Sequence, residues 1–232
     1  VQLMLLLGLC TIYLYNLRLL RVVDQLPDES KAWWQMFLVC GNMAMGGFVV
    51  AAVCTRFVFP TISLEGKAYW ILRSGPCSLK SILRTKFLIW LVPVGSIATI
   101  LLVSGAFAIN ADVPIILMSA AISWFMAYGI VGLAVGVGAV YANFDWEHSS
   151  QLAASFGSLI FMLTSTVLIG INLLPTSFLI LIRTWKHLEQ PISELEWYLA
   201  VAGCVFLLLY VNYATCRWAL QIGQNALEDR ER

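Results

Sequence analysis

Charge is scarce in this 232-residue chain. Asp, Glu, Lys and Arg together make up 12% of it, and there are only 2 histidines. A soluble domain carries about 25% charged and about 45–50% apolar residues. Here the apolar share is 60% and the mean hydropathy is +0.84. So few charges cannot coat a soluble globule, which excludes an ordinary soluble domain and a disordered chain. A net charge of +1 also excludes a nucleic-acid binder that works through a basic field.

Several chemical signatures are missing as well. There is no G-x-x-x-x-G-K-[ST] phosphate loop; the single Gly-Lys pair, Gly66-Lys67, runs on into Ala68. Neither an H-E-x-x-H metal motif nor a G-x-S-x-G nucleophile elbow occurs. The 6 cysteines include no C-x-x-C pair and fall mostly in apolar runs, so they read as small buried hydrophobes. No Asp, Glu or Lys stands in the middle of an apolar run. Proton relays and ion-coupled transporters usually need such groups.

What the chain has in quantity is apolar runs of membrane length. A spanning helix needs about 20 apolar residues, and six segments are expected, at 1–15, 34–57, 87–109, 113–142, 156–182 and 197–220. The predicted fold is an all-α membrane protein: a bundle of about six transmembrane helices forming a single transmembrane domain over 1–232. A short amphipathic cytoplasmic segment, 60–86, lies between the second and third spans. The chain opens at Val1 inside an apolar run, so it is expected to be a fragment with a shortened first span. Pro175 is expected to kink the fifth span.

The basic residues give an orientation. If the chain begins inside, the inner segments hold Arg56, Lys67, Arg73, Lys80, Arg84, Lys86, Arg217, Arg230 and Arg232, and the outer ones only Arg18, Arg21, Lys31, Arg183 and Lys186. That bias follows the positive-inside rule. Six of the fourteen lie between Arg56 and Lys86, which makes this loop cytoplasmic. Within it, Ser63 is placed to cap a helix and Glu65 sits in the first turn. Leu64, Ala68, Ile71 and Leu72 share one helical face. Gly75-Pro76 stops that helix, and Ser78 opens a second one that continues into the third span. Such a segment either anchors its neighbours at the lipid surface or docks a cytoplasmic partner.

Other candidates lie inside or beside the spans. Asn42, Asn172 and Asn212 are costly to expose to lipid; they either make interhelical hydrogen bonds or are the candidates for a translocation path. Gly129, Gly132, Gly136 and Ala139 form a small-residue stripe suited to close helix packing. Asp145, Glu147 and His148 form an acidic loop, expected to be a cytoplasmic contact rather than a metal site, since His187 falls on the other side.

Two stretches carry a resemblance. FPTISLEGKAYWILRSGPCSLKSILRTKF, beginning at Phe59, and GLAVGVGAVYANFDWEH, beginning at Gly132 and followed by SFGSLIFM from Ser155, are similar to bacterial ABC-2-type transporter permeases. The resemblance implies the transmembrane subunit of a complex in the bacterial cytoplasmic membrane, one that moves a substrate, by export. It implies a separate ATP-binding subunit that holds ATP and Mg, and no cofactor in this chain. A second permease copy or another permease half would complete the pathway. The loop would hold the coupling helix, with Ser63, Leu64, Glu65, Gly66, Trp70 and Arg73 at the ATPase-subunit interface. The competing readings are a membrane scaffold without a transport cycle and a membrane-surface enzyme built on the acidic loop.

Overall fold

A computed structural model describes residues 28–68, 74, 78–144, 151–152, 154–187 and 193–229, together with the isolated positions Gly8 and Thr11. Among the described residues there is no strand. Five long helices follow in order: α1 Asp28–Phe57, α2 Leu79–Ala108, α3 Val113–Val140, α4 Phe156–His187 and α5 Glu194–Asp229. All five carry a stretch long and apolar enough to cross a membrane. The expected first span lies outside the described residues.

Membrane crossing demands this regularity, because a backbone N–H or C=O in hydrocarbon has only its own helix to bond. The side-chain hydroxyls obey the same constraint. Thr55, Ser96, Ser119, Thr164 and Thr176 each return a bond to the carbonyl four residues back. Helix α4 continues through Pro175, as α2 does through Pro93. Packed neighbours hold a helix together around a proline in the membrane.

The helix ends follow local chemistry. Ser78 caps α2 by accepting the Ser81 N–H at 3.3 Å. At the far end Asn110 takes a left-handed φ of 52°, and the N–H groups of Asn110 and Ala111 bond back to Phe107 and Ala106. That is a Schellman stop, with Asn where glycine is more usual. Asp112 and Pro114 then open α3. Asp112 leaves its own helix uncapped and pairs with Arg183 of α4 at 2.9 Å, which pins the outer ends of α3 and α4 together.

Helix α3 is the hub, packed on α1, α2, α4 and α5. Its small residues set how near each neighbour comes. A Cβ on Gly132 would sit 2.8 Å from the Cys216 Cα, and one on Gly136 would strike the Ala219 carbonyl. From the other side, a Cβ on Gly223 would lie 2.7 Å from the Gly136 carbonyl oxygen and 3.0 Å from Ala139. Thus Gly129, Gly132, Gly136 and Ala139 face α5 of the same chain, where Leu208, Asn212, Cys216, Ala219, Gly223 and Leu227 form the matching buried stripe. The opposite faces of α2 and α5 present Leu88, Ile89, Val92, Ile100, Phe206, Leu209 and Tyr210 outward, as lipid contact requires.

The seam makes a test. Gly136→Val should destabilise the bundle by about 1–3 kcal/mol, since the seam has no room for added carbons. Gly170→Ala, at a glycine with nothing within 4 Å, should be nearly neutral. Unfolding of the detergent-solubilised protein compares the two.

Candidate functional site

After α1, residues 58–66 make a tight elbow against α2, α3 and α4. Proline at position 60 ends the helical ladder, and two 3-10 turns follow, Phe59–Thr61 and Ser63–Ala68. Gly66 interrupts the second with φ 51°, a conformation other residues adopt only with strain. The α-helix expected to open at Ser63 is therefore, over its described part, a sharply turned segment. Its apolar face is also rearranged: Ile62 is buried and Leu64 is exposed.

Four attachments hold the elbow. Phe59 stacks on Phe161 of α4 with ring centroids 6.1 Å apart. The Phe59 carbonyl lies over Gly138 of α3, where a Cβ would collide with it. Ser63 Oγ accepts the backbone N–H of Asn143, just beyond α3, at 3.0 Å. Lys86 of α2 donates to the Thr61 carbonyl at 3.1 Å and also makes an ion pair with Glu65. Both charged side chains of that pair are partly shielded, at 19% and 32% exposure, so the attraction is stronger than in open water. The described segment 58–66 thereby contacts α2, α3 and α4 as well as continuing α1.

The expected site residues separate in space. Ser63, Glu65 and Gly66 lie in the elbow, and Leu64 projects from it. Trp70, Arg73, Asp145, Glu147 and His148 lie outside the described residues. The three asparagines divide into two places. Asn42 of α1 is buried and donates to the Leu102 carbonyl of α2 at 3.0 Å, against Gly105. Asn172 of α4 and Asn212 of α5 face each other, with Nδ2 of Asn212 donating to Oδ1 of Asn172 at 2.6 Å. Each also donates to a carbonyl of its own helix at 2.8 Å. Toward the start of α4 and the end of α5 lies an apolar groove of about 550 Å³, lined by Leu163, Val167, Ala214 and Trp218 with Leu133 of α3. No grouping of His, Cys, Asp and Glu suited to a metal ion occurs among the described residues.

The bundle is that of a multi-pass membrane protein, and a family model matches it. A family model described as "Putative ATP-binding cassette" matches residues 1–228. The chain belongs to that family. It is therefore related to ABC transporters, and its five long apolar helices mark a multi-pass membrane protein. No curated protein and no solved structure matches the chain. The family's description names a nucleotide-binding unit. The phosphate-loop motif that would cradle ATP is nevertheless absent from these 232 residues.

Sequence reading passed over Phe59, Gly138 and Asn143 as parts of this site. Gly138 stands one residue off the stripe at 129, 132, 136 and 139, and that offset is the signal that it faces a different neighbour. Lys86 was visible only as one cation of a basic loop.

The asparagine pair can be weighed directly. In a double-mutant cycle, Asn172→Ala and Asn212→Ala should show a coupling energy of about 0.6–1.7 kcal/mol, the range for hydrogen bonds between membrane helices. Additive losses in detergent unfolding would mean that the two amides do not act together.

Proposed function

We propose that the chain is the transmembrane permease subunit of an ABC-2-type exporter, driven by ATP hydrolysis in a separate subunit that binds ATP and Mg. The elbow is the observation that supports this reading. A partner that pushes on a flexible loop moves only the loop. A partner that pushes on 58–66 acts on α1 through the chain, on α2 through Lys86, on α3 through Gly138 and Asn143, and on α4 through Phe161. Rigid-body motion of packed helices is how a local event at one end reaches the other. In this reading Ser63, Leu64, Glu65, Gly66, Trp70 and Arg73 lie at or beside the ATPase-subunit interface. Asp145, Glu147 and His148 are assigned to a further contact with that subunit.

The substrate path is assigned to the α4–α5 boundary. There Asn172 and Asn212 close one end, and the apolar groove opens on the other. Separation of the two helices would expose two amides to a passing apolar or amphipathic molecule. A second permease copy, or another permease half, would supply the facing wall.

The test is a charge swap in the full-length protein, co-expressed with a candidate ATP-binding-cassette subunit. Glu65→Lys and Lys86→Glu should each lower stimulation of ATP turnover by about tenfold, because the elbow loses its hold on α2. The double variant, with the pair reversed, should recover most of it. If no ATPase subunit co-purifies and all three variants behave as the parent does, the permease reading fails.

A further inference from the structure

A second cavity, of about 390 Å³, opens between α2, α3 and α5 at the inner end of the bundle. Three cations line it, Lys80 and Arg84 from α2 and Arg217 from α5. No carboxylate lines it, and none of the three makes an ion pair among the described residues. Lys86 on the same helix differs, because Glu65 neutralises it. Arg217 does donate to the Tyr213 hydroxyl at 3.1 Å, which aims its guanidinium but leaves its charge uncompensated. The nearest acid along α5, Glu228, is hydrogen-bonded to Gln224 at the rim.

The inner wall is apolar. Leu83 and Phe87 form its buried floor, and the Phe87 ring meets Tyr128 edge-on at 5.0 Å; Tyr128 and the exposed Tyr213 present ring surface to the cavity. Depth then identifies what fits. Lys80 lies in the first turn of α2. Cys216, next to Arg217, packs on Gly132, eight residues before α3 ends at Val140. At 1.5 Å per residue the cavity reaches about 12 Å below the helix ends. That is the zone where phosphate headgroups give way to acyl chains. Lys80, Arg84 and Arg217 are exposed at the cavity mouth, where their like charges add up to a positive potential that favours an anion.

We propose that this cavity binds the phosphate headgroup of an anionic phospholipid of the inner leaflet, with the first part of an acyl chain against the rings of Tyr128 and Tyr213. Basic pockets between membrane helices on the cytoplasmic side recognise anionic headgroups by this chemistry. An acidic segment of a partner protein would satisfy the charge. It would not, however, fill an apolar wall below the headgroup plane. The inference rests on the membrane-spanning bundle and is independent of the permease assignment.

Native mass spectrometry of the full-length protein in detergent tests it, with phosphatidylglycerol or phosphatidylcholine added. Phosphatidylglycerol should be retained at least about fivefold better. The triple variant Lys80→Gln, Arg84→Gln, Arg217→Gln should lose that preference while eluting as a single species, and Lys80→Arg should keep it. Should the triple variant fail to fold, the single variants replace it, each expected to lower the preference about twofold. Equal retention of both lipids, or an unchanged preference in the variants, overturns the proposal. So does thermal stabilisation by millimolar inorganic phosphate as large as that by the lipid, which would make the ligand a free anion. Loss of a co-purifying ATPase subunit with lipid preference intact would likewise overturn it, in favour of a protein-docking surface.

Discussion

Backbone contact between α3 and α5 is the constraint on which the rest of this bundle depends. Helices in lipid gain little from burying apolar surface against each other, because the lipid is equally apolar. Close van der Waals packing must supply the cohesion, and that requires small residues on facing stripes. Here Gly132 and Gly136 meet Cys216, Ala219 and Gly223 with no space for another carbon. Because α5 is drawn in along this seam, its other face is left for lipid, and its Asn212 is brought level with Asn172 of α4. The inner half of the same seam carries Arg217 toward Lys80 and Arg84, so the cationic cavity is a consequence of it too.

A second constraint acts at the inner ends. The chain must turn back after α1 without leaving backbone groups unbonded near the membrane. It does so with Pro60, two short 3-10 turns and a left-handed Gly66. The elbow could have hung free in water. Instead Gly138 lets the Phe59 carbonyl lie on α3, and Lys86 reaches back from α2 to Thr61 and Glu65. A connection built this way transmits force. Under the proposed permease reading, this is where a separate ATP-binding subunit would act.

Much of this was legible in the residue order. The helix limits at Ser78, Asn110, Asp112 and Phe156 coincide with polar or proline-bearing breaks between apolar runs, because ends in a membrane protein must sit where water can bond them. The stripe at Gly129, Gly132, Gly136 and Ala139 was visible as a spacing. The elbow was less legible. A helical period from Leu64 to Leu72 suggested an α-helix, yet Gly66 turns left-handed within it, and periodicity carries no information about where φ changes sign. Asn42, Asn172 and Asn212 stood out equally as buried amides. Only contact separates Asn42, which serves the α1–α2 crossing, from the other two.

The sequence by itself determined that the chain is a helical membrane protein, which end of each helix meets water, and which faces are small. Those properties depend on hydropathy, charge and side-chain volume, and all three are local. Tertiary structure alone decided that the glycine stripe belongs to α5 of the same chain, that Lys86 is neutralised while Lys80, Arg84 and Arg217 are not, and that Ser63 answers to Asn143. Each of these joins residues 20 or more positions apart. Apolar helices of similar composition can be packed in many pairwise orders, and only the steric fit of particular small residues selects among them.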